Sequence, residues 1–173
     1  MVAKKAIESL TIMTELVLPN ETNTLGNMMG GKLMYWMDIC GGIAAQKHCN
    51  QQVVTASVDN ISFAHPIKLG NILTIEAKVT RAFNTSMEIY LTVHGEDLQT
   101  SEKHLTNEAY MTFVALDKQT GKATPVPEVI AETTDEQNRY AGALRRRQLR
   151  LILAGKMKPD DASELKALFV EEN

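Results

Sequence analysis

The 173-residue sequence predicts an α+β fold in which an antiparallel sheet covers one long helix. Two observations lead to this prediction. In the segment 32–48, apolar residues recur at steps of three and four, which is the spacing of one helix face. In later segments they alternate with polar residues, which is the spacing of half-buried antiparallel strands. Because a sheet must bury its apolar face, this helix is expected to cover it.

The helix follows a polar lead-in and is expected to run from Lys32 to about His48. The preceding loop, LPNETNTLGNMMGG, is rich in Asn, Thr and Gly, and the helical segment contains no proline. Gly41 and Gly42 interrupt the helix, and a glycine inside a helix costs roughly 1 kcal/mol relative to alanine. We therefore expect close packing at this pair, with another backbone segment approaching it.

The sheet is expected in the segments 54–59, 73–80, 87–93 and 105–116. In the first of these, Val54, Ala56 and Val58 alternate with polar residues and are expected to share one face. The last is longer and apolar on both faces toward its end, as in a central strand. Pro125 and Pro127 close the sheet region, so the sequence predicts one domain at 1–127 and a helical extension at 128–173. The extension reads as a basic helix at about 135–154 and a short last helix, PDDASELKALFVEE.

Composition and charge narrow the possible functions. The formal charge of −3 argues against nucleic-acid binding, although seven cationic residues without a carboxylate are gathered at 139–158. Such a charge run is commonly a solvated helix face. Cys40 and Cys49 have no CxxC spacing and lie too far apart on a helix for a disulfide, which favours a reducing cytoplasm. No apolar run is long enough to cross a bilayer, so no membrane partner is expected.

The stretch GNMMGGKLMYWMD raises the question of a phosphate-binding loop. Gly26, Gly31 and Lys32 match the required spacing. Leu33, however, stands where such a loop needs Ser or Thr to hold Mg²⁺, and no βαβ unit surrounds it. Nucleoside triphosphate binding is therefore not predicted.

Asp38, two turns into the helix, is a second candidate for chemistry. A carboxylate among apolar and small neighbours either emerges at a polar edge, pairs with a basic residue, or acts on a substrate. Gly30 and Gly31 at the helix N-terminus offer free N–H groups and the positive end of the helix dipole, which suit an oxyanion. Asn23 adds a side-chain amide for a water or a carbonyl, although loop asparagines are often turn formers.

The pattern N-x-x-G-x-x-x-G-G-x-L-M-x-W-M-D, from Asn23 to Asp38, resembles the signature of the hotdog-fold acyl-CoA thioesterases of the brain-type and bacterial cytosolic group. The segments TASVDNISFAHPIKLGN, NTSMEI and TNEAYMTFVALD resemble further parts of that family, so the resemblance covers about 16–127. In a hotdog fold an antiparallel sheet wraps around one central helix, which agrees with the fold class above.

The resemblance implies hydrolysis of acyl-CoA to a free fatty acid and CoA by a dimer with active sites at the subunit interface, commonly assembled as a trimer of dimers. Asp38 of one subunit would be the general base or nucleophile, and Asn23 of the other would orient the water and the thioester. The backbone N–H groups near Gly30 and Gly31 would polarise the thioester carbonyl. A thiolate is a good leaving group, so no metal and no cofactor is expected beyond the CoA of the substrate.

The resemblance also implies two groups of CoA contacts, one along the pantetheine arm and one at the phosphate end, namely Val58, Asp59 and Asn60, and Arg81, Thr85 and Ser86. The arginines of the basic helix could reach CoA phosphates or an acidic partner surface. Two alternatives stay open. A hotdog hydroxyacyl-thioester dehydratase requires a catalytic histidine, for which His65 is available but expected in a turn away from the central helix. A non-catalytic acyl-CoA or CoA-binding regulator would bind the ligand without turnover.

Overall fold

The computed structural model describes residues 1–59, 61 and 63–169, which form two compact units, Met1–Ile130 and Ala131–Asn173. The domain boundary predicted after residue 127 falls just before the last strand of the first unit. The elements of that unit are, in chain order, β1 (Lys4–Lys5), β2 (Thr11–Leu16), α1 (Gly30–Cys49), β3 (Gln52–Asp59), β4 (Ile72–Ala82), β5 (Ser86–Asp97), β6 (Glu102–Leu116) and β7 (Val129–Ile130).

Five strands form one antiparallel sheet in the order β2-β4-β5-β6-β3. β2 and β3 are its edges, and β6 has a neighbour on each side, as expected for a central strand. β1 and β7 form a separate parallel pair, with Lys4 opposite Val129. The predicted α+β class with an antiparallel sheet is confirmed.

The helix α1 lies against one face of the sheet. The Sγ atom of Cys40 is 3.6 Å from the carbonyl oxygen of Thr11 in β2 and 3.7 Å from that of Ile75 in β4. The inward-facing residues of β4 and β5 are almost fully buried, and they are Leu73, Ile75, Ala77, Val79, Met87, Ile89, Leu91 and Val93. Burying this apolar surface is the main source of stability for the pairing of helix and sheet.

The close approach expected at the glycine pair involves a side chain rather than a backbone segment. A Cβ atom added to Gly41 would lie 3.0 Å from Cε2 of Phe113, and one added to Gly42 would lie 3.6 Å from Cε1 of the same ring. Phe113 is 2% exposed and lies in β6, so the glycines let the helix settle onto an aromatic ring of the sheet. The expectation of an approaching backbone was wrong because the ring fills that space.

A β-bulge in β3 overturns the predicted alternation of Val54, Ala56 and Val58. Thr55 pairs with Phe113, but Ser57 already pairs with Thr112, so Ala56 is an extra residue in the ladder. Residues that pair directly share a face of the sheet. Thr55 and Val58 therefore both face α1, whereas Val54 and Ser57 face the opposite side.

The second unit consists of α2 (Thr134–Leu153) and α3 (Ser163–Lys166), with a 3-10 turn at Pro159–Asp161 between them. Thr133 caps α2: its hydroxyl accepts the backbone N–H of Glu136, whose carboxylate accepts the N–H of Thr133. The last helix is shorter than predicted, and residues 170–173 lie outside the described residues. Among the described residues, no helix combines the length and the apolar character that crossing a bilayer would require.

Candidate active site

Asn23 lies in the loop before α1, and its side chain folds back onto that loop. Its Oδ1 atom accepts hydrogen bonds from the backbone N–H groups of Leu25, at 2.9 Å, and Asn27, at 3.2 Å. The oxygen is the acceptor of a side-chain amide, so these two bonds fix which way the amide points. The Nδ2 group has no acceptor among the described residues and remains a hydrogen-bond donor for a ligand.

The segment 21–29, which we call the Asn23 loop, is also hydrogen-bonded to the turn that precedes β4. The N–H of Met28 donates to the carbonyl of Ile67 at 2.7 Å, and the N–H of Leu69 donates to the carbonyl of Gly26 at 2.9 Å. Gly26 has a φ of +73°, a left-handed conformation that a glycine adopts at little cost. These contacts anchor the loop that carries Asn23 to the turn before β4.

The N-terminus of α1 presents two backbone donors. The N–H groups of Gly30 and Gly31 have no acceptor among the described residues. The ring of Phe63 lies over Gly30, where an added Cβ would be 3.2 Å from its Cζ atom. A cavity of about 340 Å³ opens beside this helix end, lined by Asn27, Met28, Gly30, Leu33, Phe63, His65, Pro66, Ile67 and Asn107. The free donors and the positive end of the helix dipole suit an anion or a developing oxyanion.

Asp38 is exposed in the single chain and is held by Thr55. The hydroxyl of Thr55 donates to Oδ1 of Asp38 at 2.5 Å, within the range of charge-assisted hydrogen bonds. A cavity of about 230 Å³ lies beside the carboxylate, and its other lining residues are mostly apolar, namely Met34, Tyr35, Met37, Val58, Ile61 and Met111. Sequence reasoning missed Thr55, because strict alternation gives no signal that a bulge turns it toward the helix.

The two parts of the candidate site are far apart within one chain. Gly30 begins α1 and Asp38 lies two turns further along, which at 1.5 Å per residue is about 12 Å. A base and the oxyanion donors acting on one carbonyl must each come within roughly 3 Å of the reacting atoms. Asp38 therefore cannot act on a thioester bound at the N-terminus of its own helix.

The predicted CoA contacts are only partly brought together. Val58 lines the Asp38 cavity, whereas Asp59 pairs with Tyr110 on the other face of the sheet. Asn60 lies outside the described residues.

The second predicted group, Arg81, Thr85 and Ser86, lies at the hairpin between β4 and β5. Ser86 pairs with Val114, which in turn pairs with Val54 of β3, so Ser86 lies two strand spacings, about 10 Å, from β3 and on the face opposite to Thr55. The guanidinium of Arg81 lies over the ring of Phe83 at 5.7 Å. Within this chain these residues do not approach Asp38.

His65 lies closer to the helix than expected. It lines the cavity beside Gly30, together with Phe63, whose ring lies over the same glycine. Its ring contacts that of His104 edge to face, with the centroids 5.8 Å apart. Among the described residues, no group of three or more His, Cys, Asp or Glu side chains is arranged to hold a metal ion.

Comparison with known proteins places the chain in a family. The profile of the thioesterase superfamily matches residues 25–102. The uncharacterized acyl-CoA thioester hydrolase YkhA of Bacillus subtilis is 39% identical over 80% of this chain and 80% of its own length. The chain belongs to the thioesterase superfamily.

Solved thioesterase structures share its fold. A hexameric acyl-CoA thioesterase without ligand matches with a TM-score of 0.85 and 40% identity, covering 89% of this chain and 98% of the other. An acyl-CoA hydrolase of Staphylococcus aureus, in complex with butyryl coenzyme A, coenzyme A and coenzyme A disulfide, matches with a TM-score of 0.81 and 38% identity over 89% of this chain and 95% of the other. Variants of the Staphylococcus hydrolase with alanine in place of one asparagine, one aspartate or one threonine have also been solved. The predicted hotdog fold is confirmed.

Proposed function

We propose that this thioesterase hydrolyses acyl-CoA to a fatty acid and CoA, with Asp38 as the general base. The observation that carries the proposal is the exposed Asp38 carboxylate, fixed by Thr55 at the edge of an apolar cavity. An apolar wall suits an acyl chain, and a carboxylate beside it can take a proton from a water molecule. The acyl-CoA hydrolases among its relatives support this choice of substrate.

The Staphylococcus variants support the choice of residues. Along that hydrolase, the substituted asparagine, aspartate and threonine are separated by the same intervals as Asn23, Asp38 and Thr55 in this chain. In this chain, Asn23 and Asp38 were identified as candidates from the sequence pattern, and Thr55 was identified from its hydrogen bond to Asp38. Two independent lines of reasoning thus lead to the same three side chains.

The reaction follows from the donors and acceptors of the site. One carboxylate oxygen of Asp38 accepts the Thr55 hydroxyl, so the other oxygen takes a proton from water as the water oxygen bonds to the thioester carbon. The N–H groups of Gly30 and Gly31 and the Nδ2 group of Asn23 stabilise the oxyanion that forms. When the oxyanion collapses, the C–S bond breaks, and the CoA thiolate leaves and takes up a proton. If Asp38 acts instead as a nucleophile, the same oxyanion donors serve its attack.

The site is completed by a second chain. Because the oxyanion donors lie about 12 Å along α1 from Asp38, the base of one subunit works with the donors of its partner. β3 carries Thr55 at an edge of the sheet, and pairing this edge with a second copy would extend the sheet and bury Val54, which is 46% exposed. A trimer of such dimers agrees with the hexameric relative, and a cytoplasmic location agrees with relatives named cytosolic hydrolases.

Arg81, Thr85 and Ser86 are the proposed contacts to the CoA phosphates. Because the pantetheine arm separates these phosphates from the thioester, the three residues need not approach the Asp38 that acts on the same molecule. The arginines of α2, including Arg145 and Arg150, are further candidates. Neutralising them is expected to raise the KM for CoA esters, or else to lower the mass of the assembly.

The first experiment measures thiol release from acetyl-, octanoyl- and palmitoyl-CoA with a chromogenic thiol reagent. Wild type should turn over at least one ester, and Asp38→Ala should lose about 10²-fold or more in kcat. If wild type binds CoA but releases no thiol, the protein is a CoA-binding regulator and the proposed hydrolysis is rejected.

A subunit-mixing experiment tests the shared site. Asp38→Ala and Asn23→Ala chains are co-expressed with different affinity tags, and the mixed assemblies are isolated by two successive purifications. In a shared arrangement, one of the two sites of each mixed dimer receives an intact Asp38 and an intact Asn23, so activity returns to about a quarter of wild type if the chains pair at random and to about half if every dimer is mixed. If both residues act within one chain, every site is defective and the mixture stays inactive.

Dehydration of a hydroxyacyl thioester has one observation in its favour, since His65 lines the cavity beside Gly30. His65→Ala separates the two reactions, because it should abolish dehydration of a 3-hydroxyacyl-CoA but leave thiol release almost unchanged. Formation of the enoyl product from that substrate by wild type, without thiol release, would favour the dehydratase.

A further inference from the structure

Glu21 is a buried carboxylate at the start of the Asn23 loop, and it is only 7% exposed. Its Oε1 atom accepts a hydrogen bond from Nε1 of Trp36 at 3.3 Å, and its Oε2 atom accepts the backbone N–H of Leu18 at 3.3 Å. Its backbone carbonyl accepts the N–H of Met29, the N-cap residue of α1, at 2.8 Å. A buried charge is tolerated only where such partners surround it.

These bonds join the elements that carry the catalytic groups. Glu21 precedes Asn23 by two residues, and Trp36 lies in the second turn of α1, two residues before Asp38. The bond to Trp36 therefore ties the Asn23 loop to the side of the helix. The bond to Met29 fixes the start of the same helix, where Gly30 presents its N–H group.

All the oxyanion donors of the proposed mechanism thus depend on one residue. The loop that orients the Nδ2 group of Asn23 begins at Glu21, and the helix end that presents the N–H groups of Gly30 and Gly31 is bonded to the Glu21 carbonyl. Displacing such donors by about 1 Å can cost as much as 10²-fold in rate.

We propose that the Glu21–Trp36 pair is a positioning clamp that sets Asn23 and the N-terminus of α1 for catalysis. The inference rests on the proposed function, because it assigns the clamp to the thioester-polarising half of that site. Neither side chain touches the reacting atoms. Both act through Asn23 and the Gly30–Gly31 backbone.

The test uses Trp36→Phe, which removes the indole N–H but keeps an aromatic ring in place. We expect kcat for the best acyl-CoA substrate to fall about tenfold, with a smaller change in KM. In an Asn23→Ala background the same substitution should lower kcat by a smaller factor than in wild type, because one of the two groups that it positions is already gone and only the Gly30–Gly31 backbone can still be displaced. Equal losses in the two backgrounds would mean that the pair only stabilises the fold, and the proposal would be overturned.

Lys47→Met is the matched control. The Nζ atom of Lys47 donates to the carbonyl oxygen of Leu10 at 2.8 Å, so it also ties α1 to a neighbouring segment, but at the far end of the helix. The control should lower stability without changing kcat in either background. A tenfold loss of kcat in this variant would show that any loosening of α1 has the same effect, which would also overturn the proposal.

Two further measurements do not depend on activity. Amide hydrogen exchange in the segment 22–31 should become faster in Trp36→Phe and stay unchanged in Lys47→Met. Trp36 is the only tryptophan of the chain, so its fluorescence should shift in Glu21→Ala and shift less in Glu21→Gln, which keeps one acceptor oxygen.

These measurements separate the two proposals. If wild type releases no thiol, the proposed function fails, and exchange and fluorescence alone decide whether the pair fixes the loop. Unchanged exchange in Trp36→Phe rejects the clamp, whatever the activity of wild type.

Discussion

Thr55 orients the carboxylate of Asp38, the general base of the proposed mechanism, through one hydrogen bond. The Thr55 hydroxyl occupies one oxygen of Asp38 and limits the rotation of the carboxylate, so in the proposed mechanism the second oxygen is available to accept the proton of the attacking water. Thr55→Val keeps the shape of the side chain and removes the donor. We predict that kcat for thiol release falls about tenfold, because the carboxylate loses its fixed orientation.

Ser57→Ala is the control for the Thr55 variant. Ser57 lies on the same strand but faces the other side of the sheet, so its loss should leave kcat unchanged. If Thr55→Val hydrolyses acyl-CoA as fast as wild type, Thr55 has no part in orienting Asp38.

His48 makes the stability of the fold depend on pH. It is completely buried, its Nε2 atom lies 2.9 Å from the carbonyl oxygen of Pro127, and its Nδ1 atom has no partner among the described residues. Burial lowers the pKa of His48 below its ordinary value of 6.5 and outweighs the hydrogen bond to the Pro127 carbonyl, which favours the protonated ring. The unfolded chain therefore binds a proton more readily than the native one, so the free energy of unfolding decreases as the pH falls below about 6.5.

Urea unfolding at pH 7.5 and pH 5.5 measures this effect. Wild type should lose more stability between the two values than His48→Gln, which cannot be protonated. His104→Gln, at an exposed histidine, should behave like wild type. An equal loss in His48→Gln would assign the acid sensitivity to other groups.

At the residue scale, the sequence identifies side chains that belong to a local motif. It does not identify side chains that become neighbours only in the folded structure. Asn23, Gly30 and Asp38 stand in one short pattern that is visible in the chain. Thr55 becomes a neighbour of Asp38 only through the bulge in β3, and Glu21 meets Trp36 only after the loop has folded onto the helix.

At the scale of elements, α1 is held against the sheet at its glycine pair. Alanine at position 41 would press its Cβ against the Phe113 ring at 3.0 Å, which is closer than ordinary packing allows. We predict that Gly41→Ala destabilises the protein by about 1–3 kcal/mol through overpacking. Gly42→Ala is the matched comparison, since its Cβ would lie at an ordinary 3.6 Å and alanine favours the helix by roughly 1 kcal/mol.

The midpoints of urea unfolding compare the two variants. Gly42→Ala should match or exceed wild type, whereas Gly41→Ala should unfold at a lower urea concentration. Equal midpoints would mean that Phe113 moves aside freely and that the glycine pair is not needed for packing.

Most of the helices and strands could be predicted from the sequence, because each buries one face and therefore has apolar residues at regular intervals. The long helix and the four main strands of the sheet follow from these periods. The residues that pack against the helix cannot be predicted in this way, because the period shows that a face is buried but not which residues cover it. The last helix was predicted too long, because its acidic start and apolar positions suit a helix that extends further than Ser163–Lys166.

At the scale of the whole molecule, the proposed site requires β3 of two chains to come together. Val54→Lys places a charge on this exposed edge, and such charges block pairing between edge strands. We predict a lower mass by light scattering and loss of thiol release, although Asp38 and Asn23 remain intact. Ile12→Lys is the control, because Ile12 is 56% exposed on β2, the opposite edge of the sheet.

Ile12→Lys should keep the mass and the activity of wild type. A monomeric Val54→Lys protein with full activity would show that one chain holds a complete site. Sequence periodicity alone does not predict the assembly, because an exposed valine on an edge strand has the same pattern as a buried one. The expectation of a dimer came from the family resemblance.

The bulge at Ala56 also shows how a strand that is one residue shorter could keep Thr55 and Val58 on the same face of the sheet. The extra residue brings Thr55 and Val58 to one face, where a regular strand would turn one of them away. A chain that lacked Ala56 would restore the regular ladder and still direct both side chains toward the helix. A one-residue gap at this point of an alignment would therefore mark a change in the strand's spacing and leave its catalytic surface intact.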